Sequence, residues 1–86
     1  MRVIFARRAK AERNHALAAL DDPAAAARLL VQFDMAAQRV GRFPFLGRAG
    51  QAGTRELVIA GTPYRFIYEI VEGRITVLEI RHSSRG

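Results

Sequence analysis

Arginines recur among the apolar residues of the last third of the chain, and they are the side chains there best suited to chemistry. Arg65 lies in the middle of one strand-like segment, and Arg81 and Arg85 lie toward the end of the next. A guanidinium can hold a phosphate or a carboxylate through two parallel hydrogen bonds, so three of them on one sheet face could bind an anionic target. The alternative is that Arg65 pairs with Glu69 or Glu79, a common arrangement on a solvated sheet face.

Other kinds of site find little support in the sequence. His15 and His82 are the only histidines, and they stand in no recognisable metal-ligand pattern. Ser83 and Ser84 follow His82 without the strained turn that exposes a nucleophile. The glycine-rich stretch 47–53 precedes a strand, whereas a phosphate-binding loop precedes a helix. We therefore predict no metal and no cofactor, and residue types alone assign no catalytic residue.

The composition is that of one small basic domain covering residues 1–86. Cysteine is absent, which is typical of the reducing cytoplasm, and no apolar run approaches the roughly 20 residues that span a bilayer. We expect a cytoplasmic protein with no membrane association. The formal net charge of +6 suggests nucleic acid, the ribosome or an acidic protein as partner. Residues 1–40 and 41–86 each carry seven basic and four acidic residues, so folding must assemble any basic surface.

The first half of the chain predicts a strand followed by two helices. Residues 2–5, "RVIF", are typical of a strand, and residues 8–20 are rich in helix formers. Asp22 can cap a second helix, Pro23 suits its first position, and Gly41 can end it. The apolar stripe of this helix is predicted to pack in the core, with Leu29, Phe33 and Val40 among its members.

After a loop at 41–53 the apolar period changes to two, which is the period of strands. Three strands are predicted, at 55–59, 64–71 and 74–82, and Glu72 with Gly73 forms the turn between the last two. Alternation predicts a core face on which the middle strand contributes Tyr64, Phe66, Tyr68 and Ile70. On the last strand it predicts Leu78 and Ile80 on the core face, and Glu79 and Arg81 on the open face.

The element order therefore predicts an α+β fold. It begins with a strand and a two-helix antiparallel hairpin, and it ends with a three-stranded antiparallel meander. The helices are expected to pack on one face of the sheet, which leaves the other face to solvent or to a partner.

Several short runs in this chain resemble the RelE/ParE superfamily of bacterial type II toxin–antitoxin toxins. They are the "P-x-x-G-R-x-G" of Pro44 to Gly50, "GTREL", "GTPYRFIYEI" and "EGRITVLEIRHSSR". The resemblance implies a toxin that a cognate antitoxin neutralises by wrapping around it. It also implies that the antitoxin is of the DNA-binding ParD type and that the two form a hetero-oligomeric complex. RelE-like members are ribosome-dependent mRNA endonucleases, and ParE-like members trap DNA gyrase.

Residue by residue, the resemblance favours the ParE-like branch. Arg65 matches the strand arginine of the "YR-x-x-Y" segment, which occurs in both branches, and Arg85 falls near the late arginine of the nucleases. A nuclease would use Arg65 and Arg85. This sequence, however, lacks the tyrosine that the nucleases have after the last strand and the lysine pair that they have before the second strand. The ending "RHSSR" resembles the "LHGAR" type of ParE-like proteins, with His82 and Arg85 in matching places. The candidates for target binding are Arg65, Arg81, His82 and Arg85.

Three functions therefore stay open at the level of sequence. The first is a ParE-like toxin that binds DNA gyrase, the second a RelE-like nuclease that acts on ribosome-bound mRNA, and the third a relic without toxicity. For contact with the antitoxin the candidates are Phe43, Phe45 and Leu46, and the alternative is that this loop tucks under the sheet.

Overall fold

The computed structural model describes residues 1–83 and contains two helices on one five-stranded mixed sheet. The strands are β1 (Arg2–Phe5), β2 (Arg48–Ala49), β3 (Arg55–Val58), β4 (Tyr64–Val71) and β5 (Arg74–His82). The helices are α1 (Arg7–Ala18) and α2 (Pro23–Arg42), with a short 3₁₀ turn at Gln51–Gly53. The strand order is β1-β5-β4-β3-β2, in which β1 and β5 are parallel and all other neighbours are antiparallel. This is the predicted α+β fold. No helix in the described part of the chain is both long enough and apolar enough to span a bilayer.

Local signals start α2 as predicted, but they do not end it. The Asp22 side chain accepts a hydrogen bond from the Ala24 amide at 3.0 Å, and Pro23 occupies the first helical position. The prediction that Gly41 ends the helix is wrong, because α2 continues to Arg42. Gly41 has a packing role, since a β-carbon there would lie only 3.0 Å from the Met1 carbonyl oxygen of the neighbouring chain start.

The loop predicted at 41–53 is more ordered than its composition suggested. It contains β2, which pairs with β3 through Arg48 opposite Glu56 and Ala49 opposite Arg55, and then the 3₁₀ turn. An alternating pattern needs more than two residues to be recognised, so β2 could not be predicted from the sequence.

The turn between β4 and β5 is the predicted two-residue hairpin. Glu72 and Gly73 both have left-handed φ values, 51° and 73°, as a type I′ turn requires. Strand twist favours this turn type in tight hairpins. The turn therefore fixes the register at the hairpin end of β4 and β5, where Val71 faces Arg74.

A β-bulge changes the alternation of β5. Ile67 faces Glu79 but the next residue, Tyr68, faces Val77, so Leu78 is an extra residue in β5. Ile75 and Val77 are consequently fully buried in the core together with Ile80. The prediction of unbroken alternation with Leu78 in the core is wrong. Glu79 and Arg81 still lie opposite Ile80, on the open face.

The core lies between the helices and the sheet. Phe33 of α2 is its centre, with ring centroids 5.6 Å from Tyr64 and 6.2 Å from Phe66. Phe5 of β1 packs edge-on against Phe66 at 5.6 Å. The predicted core positions Phe33, Val40, Phe66 and Tyr68 are buried, and Leu29, Tyr64 and Ile70 pack half-buried against them.

Candidate functional site

The open sheet face carries the predicted arginines as ion pairs. Arg65 of β4 is mostly buried, and its Nε lies 3.0 Å from Oε1 of Glu56 on β3. Arg81 of β5 makes two contacts with Glu79, of 3.0 Å from Nε to Oε1 and 3.3 Å from Nη2 to Oε2. Arg65 therefore forms an ion pair, as the alternative had it. The partner found is Glu56, whereas the sequence had suggested Glu69 or Glu79.

Helix α1 joins this face at the edge of β5. β1 pairs only with residues 74–77 of β5, so it does not cover the edge beyond Val77. Glu12 of α1 fills that place, because its Oε1 accepts a hydrogen bond from the Ile80 amide at 2.9 Å. Arg8, one helical turn earlier, lies 3.4 Å from Glu12 Oε2 and 3.3 Å from Glu79 Oε1. The i,i+4 spacing of Arg8 and Glu12 indicates a helical ion pair, but nothing in the sequence indicates its contact with β5.

Six charged side chains at this face pair with one another. The three arginines Arg8, Arg65 and Arg81 are matched by three carboxylates, Glu12, Glu56 and Glu79. The hydrogen bond from Arg81 lowers the pKa of the Glu79 carboxyl against an opposing effect of burial, and the same bond raises the pKa of Arg81. Both groups are therefore held in their charged forms, and an incoming anion would compete with carboxylates already bound.

A groove of about 870 Å³ lies along the edge of β5 between its last residues and α1. His82 lines it and packs edge-on against Tyr64, with ring centroids 5.2 Å apart. His15, in the last turn of α1, lines the same groove. The two histidines are 67 positions apart in sequence, and no local pattern could have shown that they line the same groove. Arg85 lies outside the described residues.

The loop after α2 exposes all three candidates for antitoxin contact. Phe43, Phe45 and Leu46 are 58%, 70% and 41% exposed. The alternative in which this loop tucks under the sheet is wrong for these side chains. All three side chains therefore lie at the surface, where a partner can contact them.

Of the candidates for proton transfer, the structure argues against Glu79. Glu79 is bound by two arginines and its pKa is lowered, which makes it a weak base near neutral pH. His82 packs edge-on against Tyr64 at the groove. Glu69 lies on β4, the strand that carries Arg65. Between Met1 and Ser83, no group of three or more His, Asp or Glu side chains could hold a metal ion. What the geometry offers is a set of paired charges beside a groove with aromatic and imidazole walls.

Comparison with known proteins gives a consistent result. Residues 3–86 match the family model described as the ParE toxin of the type II toxin–antitoxin system parDE. A curated relative, toxin RelE2 of Caulobacter vibrioides, is 35% identical over 63 residues, which are 73% of this chain and 70% of that protein.

Two solved structures have the same fold. A chain of the chromosomal ParDE system of P. aeruginosa superimposes with a TM-score of 0.83 at 18% identity, covering 95% of both chains. A chain of the toxin–antitoxin complex RelBE2 of Mycobacterium tuberculosis gives a TM-score of 0.62 at 28% identity, covering 94% of this chain and 95% of that one. At 18% identity the first likeness is one of fold alone.

Proposed function

The chain belongs to the ParE toxin family of type II toxin–antitoxin systems, and from this premise we propose that it arrests growth by binding DNA gyrase. The observation that carries the proposal is the pairing of the arginines at the target end of the open sheet face. Arg8, Arg65 and Arg81 are each paired with a carboxylate, so these three are not a cluster of cations awaiting a phosphate. A protein target suits such a face better than an RNA backbone does.

Cleavage of mRNA would ask more of this face. The reaction needs cations for the charge that develops on the phosphorane, a group that takes the proton of the 2′-hydroxyl, and a group that protonates the leaving oxygen. Arginine supplies charge but is a poor base, because its pKa lies above about 12. Loss of one proton-transfer group typically costs about 100- to 10,000-fold in rate. The lowered pKa of Glu79 and its two arginine partners therefore favour binding over catalysis.

An arginine that keeps its carboxylate partner can still contact a protein. Protein interfaces are enriched in arginine at their energetic centres, where the guanidinium packs flat and donates hydrogen bonds at once to both partners. Arg81 is 41% exposed beside the groove that His82 and Tyr64 line. We therefore place the target-binding surface at this end of β5, with Arg65 opposite Arg81 on β4 and Arg85 following in the sequence.

The second part of the proposal is a cognate antitoxin, which we expect to be a ParD-like DNA-binding protein. The two solved relatives come from a ParDE system and from a RelBE2 complex, so each belongs to a toxin–antitoxin pair. For this chain, we assign antitoxin binding to the exposed loop that carries Phe43, Phe45 and Leu46. The complex would then be a hetero-oligomer in which the loop and the target surface use different parts of the toxin.

Replacing Arg81 with alanine tests the target surface. We expect the variant to fold, because an exposed ion pair contributes about 1 kcal/mol or less, and to require at least about tenfold more expression for growth arrest. Arg74→Ala, at the opposite end of the same strand, is the matched control and should stay as toxic as the wild type. Circular dichroism should show that both variants are folded.

The arginine assignment as a whole has a clear contrary outcome. If Arg65→Ala, Arg81→Ala and Arg85→Ala each fold and each arrest growth as the wild type does, these arginines are not the contact with the target. Loss of folding in Arg65→Ala alone would not support the assignment, because that side chain is mostly buried against Glu56.

A further inference from the structure

The loop after α2 presents two phenylalanines to solvent from a fixed turn. The turn residues are Phe43 to Leu46, and the Leu46 amide donates a hydrogen bond to the Phe43 carbonyl oxygen at 2.9 Å. Pro44 occupies the second position of the turn, where its fixed φ suits a β-turn. Scattered exposed apolar side chains are common on proteins. What is unusual here is how firmly this turn is held.

Tyr68 ties the turn to the core. The side chain of Tyr68 is fully buried, and its hydroxyl donates to the Pro44 carbonyl oxygen at 2.7 Å while it accepts from the Gly47 amide at 2.9 Å. Both hydrogen-bonding roles of the hydroxyl are thereby used. Gly47 must be glycine for this arrangement, because a β-carbon there would lie 2.7 Å from the tyrosine oxygen. The turn is thus bonded on both sides of Phe45 by one core residue.

Two arginines flank the exposed rings. Arg55 of β3 donates from Nη1 to the Gly47 carbonyl oxygen at 2.8 Å, and its guanidinium lies 4.8 Å from the centre of the Phe45 ring. Arg42, at the end of α2, lies 5.8 Å from the centre of the Phe43 ring. Such stacking orients the rings and brings positive charge to the edge of an apolar surface. The result is a rigid apolar protrusion with a cationic border.

The charge of this border is uncompensated, unlike that of Arg8, Arg65 and Arg81. Arg42 and Arg55 have no carboxylate within ion-pair distance among residues 1–83. A partner for this surface should therefore combine an apolar pocket with acidic side chains at its rim. Because the turn is already ordered, binding it costs little conformational entropy.

The loop is also remote from the target end of β5. Tyr64 faces His82 across the strands, and Tyr68 lies four residues further along β4, about 13 Å at the rise of a strand. The Tyr68 ring also faces the helix side of the sheet, whereas Arg65 and Arg81 face the other side. An occupant of the loop need not touch the surface that we assign to gyrase, which favours the antitoxin as that occupant.

We propose that Phe45 is the anchor by which this toxin binds its antitoxin, that it enters an apolar pocket bordered by acidic side chains, and that Tyr68 is the positioning residue for it. The inference rests on the proposed antitoxin partnership and adds to it the chemistry of the antitoxin surface. Arg42 and Arg55 recognise the acidic border. Tyr68 acts without touching the partner.

The test is the affinity of purified toxin for the protein encoded by the reading frame adjacent to its gene. Phe45→Ala should weaken binding at least about 30-fold, as loss of an interface anchor does. Tyr68→Phe keeps the buried ring but removes both hydrogen bonds, and it should weaken binding about tenfold by loosening the turn. The matched control is Val58→Ala on β3, because the Val58 side chain is about as exposed as that of Phe45. This variant should bind within about twofold of wild type.

A double-mutant cycle separates positioning from general stability. Once Phe45 is alanine, the added Tyr68→Phe change should alter the affinity by no more than about twofold, because there is no anchor left to position. Independent, additive effects would overturn the role of Tyr68. If Tyr68→Phe does not fold, Arg55→Gln tests the cationic border by itself, and it should weaken binding and flatten its salt dependence.

The remaining outcomes are equally decisive. Wild-type affinity in Phe45→Ala would overturn the anchor while leaving the antitoxin partnership intact. Weakened binding of Phe45→Ala to gyrase, with antitoxin binding unchanged, would assign the loop to the target. Absence of any binding by the wild-type toxin would count against the proposed partnership itself, and the inference would fall with it.

Discussion

Phe33→Ala is expected to lower the free energy of unfolding by about 3–5 kcal/mol. Phe33 is 1% exposed and is the side chain through which α2 contacts both Tyr64 and Phe66. Truncation removes its buried surface and leaves a cavity between α2 and the sheet, because β4 and β5 cannot collapse into it. A domain of 86 residues is stable by only about 5–10 kcal/mol. The loss is therefore a large fraction of the total stability, and chemical denaturation measures it directly.

The matched control for this substitution lies one turn earlier on the same helix. Leu30 is 38% exposed, so Leu30→Ala should cost about 1 kcal/mol or less. Equal losses for the two variants would mean that α2 does not bury the face described here. A midpoint of denaturation for Phe33→Ala close to that of the wild type would have the same meaning.

Gly47→Ala has the second largest expected effect, a destabilisation of about 2–4 kcal/mol. The new methyl group would lie 2.7 Å from the Tyr68 hydroxyl oxygen and 2.8 Å from the Glu56 carbonyl oxygen. One of these atoms belongs to a buried ring and the other to the backbone of β3, so neither can move aside cheaply. The turn must shift, and the buried hydroxyl then loses the Gly47 amide or the Pro44 carbonyl as partner.

Gly50→Ala provides the control within the same segment. Its β-carbon would come within 3.0 Å of Thr54 Oγ1, the end of a half-buried side chain that can rotate away by giving up its hydrogen bond to the Gln51 carbonyl oxygen, and its φ of −113° is open to alanine. We expect a cost below about 1 kcal/mol. Thermal unfolding curves of both variants measure the difference, and a Gly47→Ala protein as stable as Gly50→Ala would contradict the role given to Tyr68.

Sequence reasoning succeeded where local chemistry decides the structure. The cap at Asp22, the first strand at residues 2–5 and the type I′ turn at Glu72 and Gly73 each follow from a few neighbouring residues. It failed at Gly41, where the helix continues because it packs closely on the chain start. It also failed at Leu78, because one inserted residue in a bulge reverses the alternation and no local pattern marks it.

The candidate site was predictable in its members but not in its pairing. Arg65 and Arg81 lie on the open face as alternation predicted, whereas the Glu56 partner of Arg65 and the contact of Glu12 with Ile80 depend on which strand edges meet. These contacts join residues from different elements, up to 68 positions apart. They matter to the functional argument, because they show that the arginines at this end of the sheet already have carboxylate partners. The roles of Arg65, Arg81, His82 and Arg85 in target binding stay predictions.

The most direct measurement of the central claim is a gyrase supercoiling and cleavage assay with the purified toxin. It should be run beside an assay of mRNA cleavage on programmed ribosomes, with the same preparation and with gyrase and ribosomes from the organism that encodes the chain. We predict inhibited supercoiling or linearised DNA, together with intact mRNA. Cut mRNA with unaffected gyrase would contradict the account, and it would mean that the arginines of the open face exchange their carboxylates for an RNA backbone.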